Sequence, residues 1–239
     1  MTLHEWLLMS VPAVVALAGG VMAALWHPSA RARSLIQHFA AGVVLAALAV
    51  ELLPEIEREH APGLVLALAF ALGSLFMFGL KLVTARLEKR EGAHTGLALG
   101  LVLATFIDVA TDGFIIGAGF AAGGETGPVL AIGLSVELLF LGLALTSEAP
   151  GGMRIVLLSG GIGLTVLSCA AIGKLALSGA SKTTIGGALA FAAAALLYLV
   201  TEELLMEAHG GKEPETPAST LVLFGGFLAF WCVQLVGAR

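Results

Sequence analysis

The apolar residues of this chain are gathered into eight runs of roughly twenty residues or more, and that spacing limits its fold more than any other feature. The runs are Leu3–Trp26, Leu35–Ile56, Gly63–Thr84, Thr95–Ala121, Gly127–Ser147, Arg154–Leu177, Thr183–Met206 and Ala218–Gly237. A helix of about 20 apolar residues covers the hydrocarbon core of a bilayer and satisfies its own backbone hydrogen bonds there. The breaks carry turn residues: His27-Pro28, Ala61-Pro62-Gly63, Gly123-Gly124, Ala149-Pro150-Gly151-Gly152, and the stretch from Gly210 to Pro217. No connection is long enough for a soluble domain. The expectation is one all-α, polytopic membrane domain over residues 1–239, with eight transmembrane helices.

Composition agrees. Charged residues make up 12% of the chain, against about 25% in soluble domains. The net charge of -5 argues against nucleic acid as a partner. Cys169 and Cys232 lie inside apolar runs and read as small buried hydrophobes rather than a disulfide or a thiolate metal site. No Lys or Arg precedes the first run and no cleavage site follows it, which favours a retained span over a signal peptide. Loop cations set the orientation. Arg31, Arg33, Arg86, Lys89, Arg90, Arg154 and Lys212 fall on one side, and Arg58, Lys182 and Arg239 on the other. The richer side is expected in the cytoplasm of a cell (cytoplasmic) membrane, with both termini outside.

An internal repeat is visible. Span two has Phe39 and then Glu51-Leu52-Leu53-Pro54-Glu55, and span seven has Phe191 and then Glu203-Leu204-Leu205-Met206-Glu207, aligned without a gap. The two spans run in opposite directions, so spans one to three and six to eight are expected as inverted copies. Spans four and five form a smaller pair, with Asp112 aligned on Glu137 and a glycine five residues after each, Gly117 and Gly142. The arrangement expected is three, two and three spans in inverted repeat.

The central pair carries the costly residues. Asp108 and Asp112 sit mid-span, four apart and so on one helix face, with Thr105 one turn earlier and Thr111 beside them. A carboxylate at bilayer depth costs roughly 2.5–3.5 kcal/mol on insertion scales. Close like charges require a proton, a metal ion or a basic side chain nearby. Asp108, Asp112 and Glu137 are candidate metal ligands, with Thr105 or Thr111 as accessory oxygens. Oxygen donors favour Mn, Mg or Ca, whereas imidazole and thiolate favour Zn and Cu. The competing reading is a hydrogen-bond network of protonated carboxyls.

These features together resemble the Zrt/Irt-like (ZIP) family of divalent metal transporters. The resemblance rests on segment number and order, on the Phe39-Ala40-Ala41-Gly42 and Glu51-Leu52-Leu53-Pro54-Glu55 stretches of span two, and on Asp112-Gly113 and Glu137. It implies outward termini, metal ligands on spans four and five, and movement of spans one, four, five and six against the other four. Where the family has His-Asn-x-x-Glu-Gly or His-Asn-x-x-Asp-Gly, this chain has Asp108-Val109-Ala110-Thr111-Asp112-Gly113. In the fifth span Glu137 is kept and Ser147-Glu148 follows at the family-like distance. A sixth-span carboxylate of many members is absent, and Lys174 is present instead.

The function expected is inward transport of a divalent ion of the Zn, Mn, Fe, Co or Cd class by alternating access. The ion is substrate, no prosthetic group is expected, and the partners are the lipid bilayer and the ion, with a homodimer admitted. The alternative is a ZIP-like transporter that carries another cation or a small solute, with Lys174 as counter-charge. Lys174 also reads as a side chain reaching the outer interface. His38, Glu51 and Glu203 are candidates for the access path, or simply mark span ends. Glu202, Glu207 and His209 read as a cytoplasmic collecting cluster or a solvated helix end. Gly113, Gly117 and Gly119 read as close helix packing. The chain offers no nucleophile, phosphate loop or His-containing metalloprotease motif, so catalysis is not expected. A non-transporting membrane scaffold is the remaining rival.

Overall fold

A computed structural model describes residues 2–25, 29–91, 99–144, 152–205 and 217–237, and their regular structure is entirely helical. The elements are α1 (Leu3–Leu25), α2 (Ala30–Ala46), the π-helical π1 (Ala47–Leu52), α3 (Leu53–Arg58), α4 (Gly63–Glu91), α5 (Leu99–Ala122), α6 (Thr126–Ala144), α7 (Gly152–Leu177), α8 (Lys182–Leu199), the π-helical π2 (Val200–Leu204) and α9 (Pro217–Gly237). Among the described residues seven helices are long and apolar enough to cross a membrane, and an eighth apolar helix, Thr126–Leu141, is shorter. The chain is a multi-pass, all-α membrane protein.

Local chemistry sets the helix ends. Ser29 caps α2, its hydroxyl accepting from the Ala32 amide at 3.2 Å, so the second span starts ahead of its apolar run and carries Arg31 and Arg33 in its first turns. Ser181 caps α8 in the same way through the Thr184 amide at 3.2 Å. Between α5 and α6 the chain turns through Gly123 and Gly124 at φ of 92° and 58°, a backbone region that side chains with a Cβ rarely occupy. Two spans are not regular to their ends. π1 precedes Pro54, which has no N–H to give the α-helical ladder, whereas π2 forms without a proline.

Packing divides unevenly. α5 lies closely along α7, and α1 packs against both α6 and α7. Separately, α2 packs on α9 and α4 on α8. The α5–α7 approach is backbone to backbone. A Cβ on Gly113 would stand 2.5 Å from the Val166 carbonyl oxygen, and one on Gly117 would stand 2.7 Å from the Lys174 nitrogen. Gly119 turns instead to α6, where it meets Gly127. Such small-residue contacts let helices associate in lipid, where no hydrophobic drive separates core from surroundings. On the other side Gly73 of α4 sits on the Phe191 carbonyl of α8, and Gly226 of α9 sits on the Phe39 carbonyl of α2.

The buried core is continuous through Val109, Leu130, Leu134, Leu138, Ile162 and Val166. The outer faces of α4 and α9 expose large apolar side chains, among them Leu64, Leu72, Phe224 and Val233. Lipid tails solvate such surfaces as well as a core does, and that corrects the expectation for the cysteines. Both are free thiols, but Cys232 is exposed on α9 and Cys169 is half-buried on α7.

Candidate metal centre

α5 places Asp108 and Asp112 one helical turn apart on the face that meets α6, and α6 brings Glu137 to the same depth. One carboxylate oxygen from each of the three lies within 4.8 Å of the others. Asp112 is 1% exposed, Glu137 5% and Asp108 9%. Among the described residues this is the one group of three or more acidic, His or Cys side chains close enough to hold a metal ion. Each of the three residues interacts with other groups of the protein, while the atoms Asp108 Oδ1, Asp112 Oδ2 and Glu137 Oε2 take part in no hydrogen bond. Val109, Leu134 and Leu138, close to the acids along α5 and α6, are fully buried.

Electrostatics decides what the cluster can do. Two ionised carboxylates at such a separation repel by roughly 3–4 kcal/mol at an effective dielectric of about 20. Three cannot remain charged together without compensation. A divalent ion between them removes the repulsion, and its oxygen ligands lie roughly 2.0–2.6 Å from the metal, which suits the observed spread. Protons are the other available neutraliser.

The accessory candidates divide. Thr111 turns its hydroxyl back to the Ile107 carbonyl at 3.0 Å, so its proton is engaged in its own helix. Thr105 is half-buried one turn before Asp108. His38 is buried in α2, with Nδ1 2.8 Å from the Ser34 carbonyl. Lys174 is directed elsewhere: its ammonium forms an ion pair with Glu5 of α1 and lies 5.8 Å from the centroid of the Phe120 ring. Glu51 is buried and hydrogen-bonded to two other helices. Glu203 has its backbone in π2, and its side chain, like His94, Glu148, Glu207 and His209, lies outside the described residues. Neighbouring Glu202 pairs with Lys81 of α4, whose ammonium also lies 5.9 Å from the Tyr198 ring centroid. Sequence reasoning missed Thr126, Gln234 and Glu5, each a polar residue near the start or end of an apolar run.

With that geometry in place, comparison with known proteins bears on the cluster. The chain resembles a zinc transporter. It is 34% identical over 148 residues to the protein named Zinc transporter GufA of Myxococcus xanthus, a match covering 59% of this chain and 57% of that protein. The chain thus matches less than two thirds of that relative's length. No family model matches. The findings together describe a membrane protein with a distant metal-transporting relative and a buried acidic cluster able to coordinate a metal.

Proposed function

We propose that the protein carries a divalent metal ion across the membrane toward the cytoplasm, by alternating access, with Asp108, Asp112 and Glu137 as the ion's ligands. The observation that carries this reading is the convergence of three buried carboxylate oxygens from two helices within 4.8 Å, at the centre of a multi-pass fold. The relative's name supports metal, and zinc in particular, as cargo. The donor set of three carboxylates, with no imidazole or thiolate in the cluster, favours a broader or harder preference that includes Mn. The protein is then a transporter and not an enzyme.

The inverted three-two-three arrangement belongs to the same proposal. Phe39 and Phe191, matched by the repeat, each offer their carbonyl to a glycine of another span, Gly226 and Gly73 respectively. π1 and π2 fall at corresponding points of spans two and seven. The packing also supports two groups, spans one, four, five and six in one and two, three, seven and eight in the other. Membrane placement with both termini outside follows from the loop cations.

Uptake into proteoliposomes across Mn, Fe, Co, Zn and Cd tests the proposal. Wild-type protein is expected to carry at least one of these ions, and Asp112→Asn and Glu137→Gln are each expected to lower that flux at least tenfold. Absence of flux for every ion, or flux indifferent to both changes, refutes it. Lys174→Ala separates the counter-charge alternative. The Glu5 pairing supports metal affinity changing less than threefold, whereas a direct counter-charge predicts a large change.

A further inference from the structure

Outside the cluster, the carboxylate of Glu51 joins the two helix groups. It lies in π1, is 7% exposed, and uses both oxygens. Oε1 accepts from the Thr126 hydroxyl at 2.9 Å, and Oε2 accepts from the Gln234 side-chain amide at 2.5 Å. Thr126, 1% exposed, is the first residue of α6, the helix that carries Glu137 eleven positions later, about 16 Å along its axis. Gln234 lies near the end of α9, which packs along α2. One buried carboxylate therefore ties the start of a site-bearing helix to two spans of the opposite group.

The other membrane face offers the comparison. Lys81 of α4 pairs with Glu202 of π2. The spacing from Gly73 to Lys81 equals that from Gly226 to Gln234, so the Lys81–Glu202 pair occupies the place in one repeat that Gln234–Glu51 occupies in the other. Both pairs sit at a π turn. Their surroundings differ: the Lys81 and Glu202 side chains are 42% and 43% exposed, while Glu51 is sealed under α6. One pair is centred on a buried carboxylate and the other is exposed.

We propose that Glu51 is a gate latch on the side where span two ends. While it holds Thr126, the carboxylate cluster is shut off from that side, and release of Thr126 is the step that opens it. Glu51 is a positioning residue in this scheme and does not touch the ion. Gln234 keeps the carboxylate aimed at Thr126, and the π turn supplies the extra backbone width that lets Glu51 reach between the groups. The inference rests on the transport reading for its purpose, but its physical content, a releasable contact between two helix groups, is separately measurable.

Hydrogen–deuterium exchange on the purified protein in nanodiscs tests it. Thr126→Val keeps the side-chain shape and removes the donor, and Thr126→Ser keeps the donor. A lost side-chain hydrogen bond corresponds to roughly tenfold in an opening equilibrium. The valine variant is therefore expected to exchange about tenfold faster in residues 126–130 and 47–52, with α1 and α7 unchanged and the serine variant within about twofold of wild type. If the valine variant does not fold, Gln234→Met removes the second donor and is expected to give the same local pattern. Unchanged exchange, a uniform rise across all helices, or a serine variant that behaves like valine would each overturn the latch. A protein that shows the local pattern but carries no metal would sink the transport reading and leave the latch standing.

Discussion

A single side-chain atom at Gly117 would be enough to disturb the seam between α5 and α7. Its Cβ would press on the Ala170 carbonyl and lie 2.7 Å from the Lys174 nitrogen, both backbone atoms with no rotamer to change. Gly117→Val is expected to cost about 1–3 kcal/mol through overpacking, read as a lower thermal unfolding midpoint in detergent. Gly225→Ala, where nothing lies within 4 Å, serves as the control and is expected to leave the midpoint in place. Individual residues were legible in proportion to how badly they fit an apolar run. Asp108, Asp112 and Glu137 stand out because a carboxylate at bilayer depth needs a reason. Thr126 and Gln234 do not stand out, because neutral polar residues at span ends are unremarkable until a third residue, distant in sequence, is seen between them. The same holds for Lys174: its charge was visible, but its partner Glu5 sits near the far end of the chain.

At the level of elements, hydropathy located the spans because bilayer thickness fixes their length. It could not locate π1 and π2, since an extra residue in a helical turn leaves composition and periodicity almost unchanged. The sequence repeat pairs Glu51 with Glu203, whereas the ion pair on the second side uses Glu202, one residue earlier. Ala49, exposed within π1, gives a direct handle. Its deletion is expected to return the segment to α-helical register, preserve helical content by circular dichroism, and turn Glu51 away from Thr126. Exchange in residues 126–130 should then rise about as far as in Thr126→Val, roughly tenfold. If exchange there matches wild type, the π turn is dispensable for holding the gate.

At the scale of the whole molecule, the contacts between α5, α7, α1 and α6 are denser than those joining them to α2, α4, α8 and α9. Transport by relative movement of the groups then has a geometric signature. Spin labels at exposed positions 103 and 164, on α5 and α7, are expected to hold one separation with and without metal. Labels at 164 and 228, on α7 and α9, are expected to shift, as read by pulsed dipolar spectroscopy in a background with Cys169 and Cys232 replaced by serine. Invariance of both distances would argue against movement between the groups. The glycine seam between α5 and α7 makes the first pair useful beyond that test. Two backbones in direct contact leave no slack for side chains to absorb, so the seam serves as a fixed ruler inside the protein, against which every other displacement can be measured.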